Sequence, residues 1–428
     1  MTSYHIFIFP LAFLYLSVMF RRIYPRIVRR RLTILQDAAM LRNLKDAINF
    51  FNETMAARPE RDGLAAESAV WEGRRHLYPA LWIDHSVDPA DTTTAAPFFS
   101  LPETRFPKND EGILAGKIMQ CLVPLDLDNP VYQTLILEGA GSPADLVPCF
   151  GIPKSEDGGA PAYTLTLDDI LRLAPPDPER AGLMPKFKKS AARIRELTPF
   201  AFKISVPDMQ GPFNLVHAMI GDEAFTAPYT DPEKFRKLMQ RITDLWIAAR
   251  DLLVSWIGKE RLRPGAAVPR VCECSVNMVS EAFYKEHILQ HDLKLAKHFG
   301  RLGIHPCSGI HVFSVTLENL PVAATEAGMM LSKMAAPVIS VRHGLKLIGD
   351  RPIVLRVGEE LPANRQEAFK IVADHIDLSL ENPRLSVGGY SGLWCKKDHP
   401  MIRGLHLELD RYWTAKSGGI GGNTVHAK

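Results

Sequence analysis

An imidazole and a thiol two positions apart, His305 and Cys307, close a short apolar run in Leu302-Gly303-Ile304-His305-Pro306-Cys307-Ser308-Gly309. On an extended segment alternate side chains share a side, so His-x-Cys turns both donors the same way. Zn²⁺ favours thiolate and imidazole, and a catalytic zinc takes about three protein ligands and keeps one position open. The same residues also fit a buried cysteine beside a hydrogen-bonded histidine, because an isolated His-x-Cys is not specific for metal. Both readings stand on these residues.

A third ligand must come from elsewhere in the chain. Cys395 follows the predicted strand Arg384–Val387 in Gly388-Gly389-Tyr390-Ser391-Gly392-Leu393-Trp394-Cys395. It is the thiol candidate, with a free packing cysteine as its plainer reading. Glu318 and Glu326 offer oxygen on a predicted helix, where a solvated face is the plainer reading. Cys272-Glu273-Cys274 ends another predicted strand, with both cysteines on one face and Glu273 on the other. If the cysteines pack against helices, Glu273 and Asn277 face the site, and that arrangement is favoured over a Cys-x-Cys metal pair. After the strand Phe200–Val206, Asp208, Gln210, Asn214 and His217 surround a Gly-Pro turn. Polar groups there are placed to shape a pocket, or simply to make the turn. His287, His291 and His298 fall opposite a stripe through Leu289, Leu293, Ala296 and Phe299, which predicts a solvated face. No phosphate-cradling glycine loop, serine-nucleophile elbow or dinucleotide fingerprint is present.

The elements that must position these residues emerge clearly from residue 200 onward. Strands are predicted at Val268–Glu273, Leu302–Ile304, Pro337–Val341, Pro352–Val357 and Arg384–Val387. Helices are predicted at Asp231–Ile257, Ser280–Phe299, Thr316–Ala327, Arg342–Ile348, Ala363–Leu380 and Pro400–Trp413. Regular alternation of strand and helix means a parallel sheet covered by helices. Between 40 and 200 only short strands are suggested, at Ala80–Ile83, Met119–Pro124 and Leu146–Phe150. Residues 414–428, rich in glycine, are expected to be a flexible tail.

Bulk properties exclude several classes. An apolar share of 46% and a charged share of 23% exclude wholesale disorder. The net charge of +3 owes its sign to six arginines in residues 1–36. Taking those six from 51 basic residues leaves 45 against 48 acidic ones, so the body has no bulk attraction to nucleic acid. Six scattered cysteines make no disulfide framework and suit a reducing compartment. Tyr4–Phe20 is 17 residues without a charged side chain, near the lower limit for a spanning helix. The arginines that follow favour a tether with the body in the cytoplasm. An organelle-targeting stretch or a start codon placed too far upstream are the alternatives.

Taken together, these motifs resemble the uroporphyrinogen decarboxylase superfamily, which includes the haem-pathway decarboxylase and corrinoid-dependent thiol methyltransferases. The resemblance rests on Gln210-Gly211-Pro212-Phe213-Asn214-Leu215, on Tyr229-Thr230-Asp231-Pro232-Glu233-Lys234-Phe235, on Phe299-Gly300, on His305-Pro306-Cys307-Ser308-Gly309 and on Gly349-Asp350-Arg351-Pro352-Ile353. It covers about 200 to 412. It implies an α/β fold, a (β/α)8 TIM barrel spanning 40–413 with an N-terminal extension at 1–36. It also implies an enzyme acting on a small molecule, with zinc on His305, Cys307 and Cys395 and methyl transfer to a thiol linked to a corrinoid protein. Two alternatives remain: cofactor-free decarboxylation of uroporphyrinogen or a related tetrapyrrole, with His305 or Asp208 protonating the product carbon, and non-catalytic binding of a tetrapyrrole or corrinoid. Ala218 stands where the decarboxylases carry a tyrosine, their arginine pair is not located, and Cys395 departs from the methyltransferases' third-ligand position.

Overall fold

The computed structural model describes residues 82–85, 134–137, 140, 145–154, 161–198, 202–263, 266–272, 274–305, 310–326, 340–358, 361–387, 389–392 and 399–416. Five parallel strands form its main sheet in chain order: β4 (Arg270–Cys272), β5 (Leu302–His305), β6 (Val322–Glu326), β7 (Val354–Val357) and β8 (Leu385–Val387). Two further parallel pairs join β1 (Trp82–His85) to β9 (Gly389–Gly392), and β2 (Thr134–Leu135) to β3 (Lys203–Ile204). This is the α/β class with parallel pairing that the alternation predicts.

Helices α1 (Leu167–Arg172) and α2 (Met184–Leu197) precede β3, and α3 (Pro212–Ile220), α4 (Glu223–Thr230) and α5 (Pro232–Ile257) lie between β3 and β4. Asp231 caps α5 by accepting from the Lys234 N–H, and Pro232 occupies the first turn, where a missing N–H costs nothing. Phe235, Leu238, Met239, Ile242, Trp246, Ala249 and Leu253 recur at helical spacing and are all buried. A composite helix follows β4: α6 (Glu281–Phe283), a π-helical turn (Tyr284–Ile288) and α7 (Leu289–Phe299). Then α8 (Ile310–Asn319), α9 (Val341–Ile348) and α10 (Arg365–Glu381) link successive strands, and α11 (His399–Lys416) ends the described chain.

Several expectations are corrected. Val322–Glu326 is a strand, not part of a helix, because Pro321 ends the preceding segment and Val322, Ala323, Ala324 and Thr325 are all buried. Val147–Phe150 is a 3-10 helix rather than a strand: Pro148 opens it and Gly151 closes it at φ 76°. Val341 begins α9, capped by Ser340, instead of ending a strand. Residues 414–416, expected in the tail, belong to α11, which runs through Lys416. Residues 1–36, Met119–Pro124 and 417–428 lie outside the described residues, and among those described no helix is long and apolar enough to cross a membrane.

The two faces of the sheet differ. Val271, Ile304, Leu355 and Leu385 belong to the core shared with the helices. Ala324 and Val354, one position earlier in register, pack with Val268 in a separate small cluster. Side chains alternate along a strand, so positions 272, 305, 356 and 386 share the face turned away from the helices.

Buried histidines make this packing sensitive to acid. His375 on α10 is bonded through Nδ1 to the Tyr390 hydroxyl at 2.8 Å, seating β9 on the helix. Burial, against a smaller opposing effect from Asp374, pushes its pKa down to about 4. Burial, then Lys294, does the same to His291, also to about 4, with Asp244 opposing. A ring with a folded pKa below the unfolded value of roughly 6.5 is stable when neutral, so stability falls as pH drops from there towards 4. Urea unfolding is expected to lose up to ~3 kcal/mol per ring across that window. His375→Gln is expected to flatten part of the slope, and an unchanged slope would show that this ring is not its source.

Candidate functional site

The chain leaves β3 through Pro207-Asp208-Met209-Gln210-Gly211 and enters α3 at Pro212. Gln210 takes the left-handed conformation at φ 55°, which non-glycine residues rarely adopt. Its N–H donates to Asp208 Oδ1 at 3.1 Å, its Nε2 donates to Asp208 Oδ2 at 3.2 Å, and its carbonyl accepts from Trp246 Nε1 at 2.8 Å. Asn214 Nδ2 donates to Gln210 Oε1 at 2.5 Å and to the Cys272 carbonyl at 2.8 Å, while Asn214 Oδ1 accepts from the Ser275 N–H at 2.6 Å. Ser275 Oγ lies 2.8 Å from His217 Nδ1. The result is one continuous chain of hydrogen bonds from Asp208 through Gln210, Asn214 and Ser275 to His217. It joins the exits of β3 and β4.

Electrostatics follow from burial. Gln210 and Asn214 are each 8% exposed, and His217 is half-buried against Phe225 with ring centroids 4.8 Å apart. Desolvation lowers the His217 pKa, and Asp222 opposes that shift. The ring is therefore biased towards its neutral form.

His305 ends β5, half-buried, and pairs in register with Cys272 on β4. Since Gly211 N–H and Asn214 both donate to the Cys272 carbonyl, the hydrogen-bonded chain and the His305 strand end meet at one residue. The structure thus brings Gln210, Asn214, His217 and His305 to one edge of the sheets. On β6, Glu326 aligns with Arg356 of β7 and sits one residue past the Ile304–Thr325 pair, so its backbone is level with His305.

Three placements differ from expectation. Cys272 is buried on the same face as His305, whereas the sequence favoured cysteines turned to the helices. Its neighbour Cys274 is disulfide-bonded, neither a packing thiol nor half of a Cys-x-Cys pair with Cys272, which forms no disulfide. Asp208 spends both carboxylate oxygens on Gln210, which gives it a turn-holding part. Glu273, Cys307 and Cys395 and the Asn277 side chain lie outside what is described. Among the described residues no three of His, Cys, Asp and Glu converge as a metal-holding group.

The histidines on α7 and its π-turn are not uniformly solvated. His291 is 3% exposed, with Nδ1 3.0 Å from Thr243 Oγ1 on α5. His287 packs edge-on to Phe283 at 4.9 Å, and only His298, bonded to Asp251 at 2.9 Å, lies on an exposed face. The buried stripe instead runs through Tyr284, Ile288, Asp292 and Leu295, because the Tyr284 hydroxyl donates to Asp292 at 2.6 Å and lets a carboxyl lie inside. Leu293, taken for the apolar side, is 40% exposed. Ser275 escaped the sequence reading altogether: it is 58 residues from its partner His217, with no spacing to link them.

No protein-family model matches this sequence, and no curated protein does. Among solved structures, the chain is similar to a methyltransferase from Methanosarcina mazei, with a TM-score of 0.53 and 15% identity over 82% of this chain and 97% of that one. At that identity the likeness establishes shared fold alone.

Asn214 is the member of the chain with most to lose. Asn214→Ala leaves the Ser275 N–H and Gln210 Oε1 without their partners, and is expected to cost about 1–3 kcal/mol in denaturant unfolding. A loss below roughly 0.5 kcal/mol would mean that solvent replaces these bonds.

Proposed function

We propose that this chain is an enzyme of the methyltransferase-like branch of the uroporphyrinogen decarboxylase superfamily, built on a closed (β/α)8 barrel. Its reaction moves a methyl group onto the thiol of a small molecule, with a corrinoid protein as donor. The observation that carries this reading is the place of His305: at the C-terminal end of a parallel strand, on the face away from the helices, beside the Asp208-to-His217 chain. Parallel α/β enzymes put their chemistry at that end of the sheet. The likeness to a methyltransferase over 97% of that protein's length supports it further.

An imidazole with two thiolates is a donor set that suits zinc, so His305 with Cys307 and Cys395 would hold the ion. When bound, zinc lowers the pKa of a thiol ligand and makes it a nucleophile near neutral pH. Gln210, Asn214 and His217 line the adjacent wall and orient the acceptor. The rival decarboxylation is left with His305 as its acid, because Asp208 is already committed to Gln210. Residues 4–20 tether the body to a membrane from the cytoplasmic side.

Protein purified under reducing conditions is expected to contain close to one equivalent of zinc, and Cys307→Ala to retain a small fraction of it. Methyl transfer from a methylated corrinoid to a small thiol, followed by mass spectrometry of the thioether, is expected to fall with the metal. Zinc that is absent from the wild type, or unchanged in C307A, would refute this reading.

A further inference from the structure

We infer that His217 is the proton acceptor of this site and that Ser275 is the positioning residue that fixes which ring nitrogen does the work. The inference deepens the methyl-transfer reading and rests on it for the identity of the acceptor, a thiol.

Three observations converge. His217 Nδ1 is engaged by Ser275 Oγ at 2.8 Å, while among the described residues nothing bonds to Nε2 of this half-buried ring. Ser275 is itself held, because its N–H donates to Asn214 Oδ1, and Asn214 is anchored to the Cys272 carbonyl and to Gln210. Strain in the left-handed Gln210 backbone, maintained by Trp246 and Asp208, marks the start of the same chain. His291 and His375 also meet a hydroxyl at Nδ1, but those rings are buried in the packing, whereas His217 keeps a half-buried ring with its second nitrogen unbonded among the described residues. Phe225 of α4 closes a second side of the ring. The charged group that acts on it is Asp222, just before α4; Glu223 is turned instead to the Leu167 N–H. On the β4 side the neighbouring Cys274 is disulfide-bonded and does not titrate.

The chemistry balances. With Nδ1–H donating to Ser275 Oγ, Nε2 carries a lone pair. The acceptor's S–H bond breaks and its proton goes to Nε2, giving an imidazolium. The electron pair left on sulfur forms the S–C bond to the methyl carbon. The bond between that carbon and the donor breaks, and its pair leaves with the donor. Partial burial keeps the ring uncharged before the proton arrives.

The test uses the full-length chain and two independent readouts. Carbethoxylation by diethylpyrocarbonate, which attacks only neutral imidazole, is followed at His217 by peptide mass spectrometry between about pH 5 and 8. Labelling is expected with a midpoint below the ordinary histidine range, displaced in Ser275→Ala and restored in Ser275→Thr. No labelling at His217, or the same midpoint in S275A, overturns the proposal. Separately, His217→Gln is expected to lower kcat/KM for methyl transfer to 2-mercaptoethanol at least ~100-fold and to abolish the acid limb of its pH profile, with circular dichroism unchanged. An unchanged rate overturns the proposal. If H217Q unfolds, His217→Asn is judged by the same readouts. Should the wild type transfer no methyl group at all, the methyl-transfer reading falls, and the labelling profile alone decides whether His217 and Ser275 act as a proton-accepting pair.

Discussion

The carbonyl oxygen of Cys272 accepts two hydrogen bonds, one from the Gly211 N–H and one from Asn214 Nδ2. Both donors arrive from the far side of a left-handed residue, Gln210, whose conformation costs about 1–2 kcal/mol for an L side chain. That cost is offset locally, by the Trp246 indole on the Gln210 carbonyl and the Asp208 carboxylate on its N–H and amide. A regular exit from β3 would aim Asn214 elsewhere. The strained turn is therefore what lets one strand's loop reach the end of the next strand and hold Ser275 and His217 in line.

The sheet supplies the other half of the site through a division of labour between its faces. Bulky Val271, Ile304, Leu355 and Leu385 are buried with the helices, where apolar burial stabilises by roughly 25 cal/mol per Å². Their register neighbours on the opposite face include Gly303 and Ala324, small residues that leave space. At the next level along that face the residues are polar or reactive: Cys272, His305, Arg356 and Ser386. His305 and Ser386 keep partial access to water at that level, while Cys272 and Arg356 are buried, and a buried polar group there needs a hydrogen-bonding partner.

Sequence made the helix starts legible wherever a cap and a breaker stood together. Asp231-Pro232 caps the helix expected there, whereas Asn364 falls one residue inside its predicted helix and Ser340 inside a predicted strand, with no breaker beside either residue to mark the cap. The strands at 270, 302, 354 and 385 were readable from short apolar runs between turns. Val322–Glu326 was not, because its Ala-Ala centre carries as much helix as strand preference and only burial on both faces decides the matter. Nor was the buried side of α7, where a Tyr284–Asp292 bond and a His291–Thr243 bond place polar residues inside. Hydropathy cannot register a polar group whose partner is supplied by the fold. Of the site, Gln210, Asn214, His217 and His305 were legible as polar residues after strands. Ser275 was not, since its significance is a contact and not a pattern.

An identity of 15% with a methyltransferase of the same fold is what these two kinds of constraint would leave behind. The helix-facing residues need only keep their apolar character and approximate volume, so exchanges among Val, Ile and Leu erase identity without erasing the sheet. The hydrogen-bonded chain tolerates much less. Asn214 gives both amide hydrogens and accepts through its oxygen. A carboxylate of the same shape has no hydrogens to give, and an alanine has no polar atom at all. Fold likeness at this distance therefore says little about chemistry. The chemistry has to be argued from side chains whose hydrogen-bonding capacity is fully used, and from the ring nitrogen of His217 left over at the end.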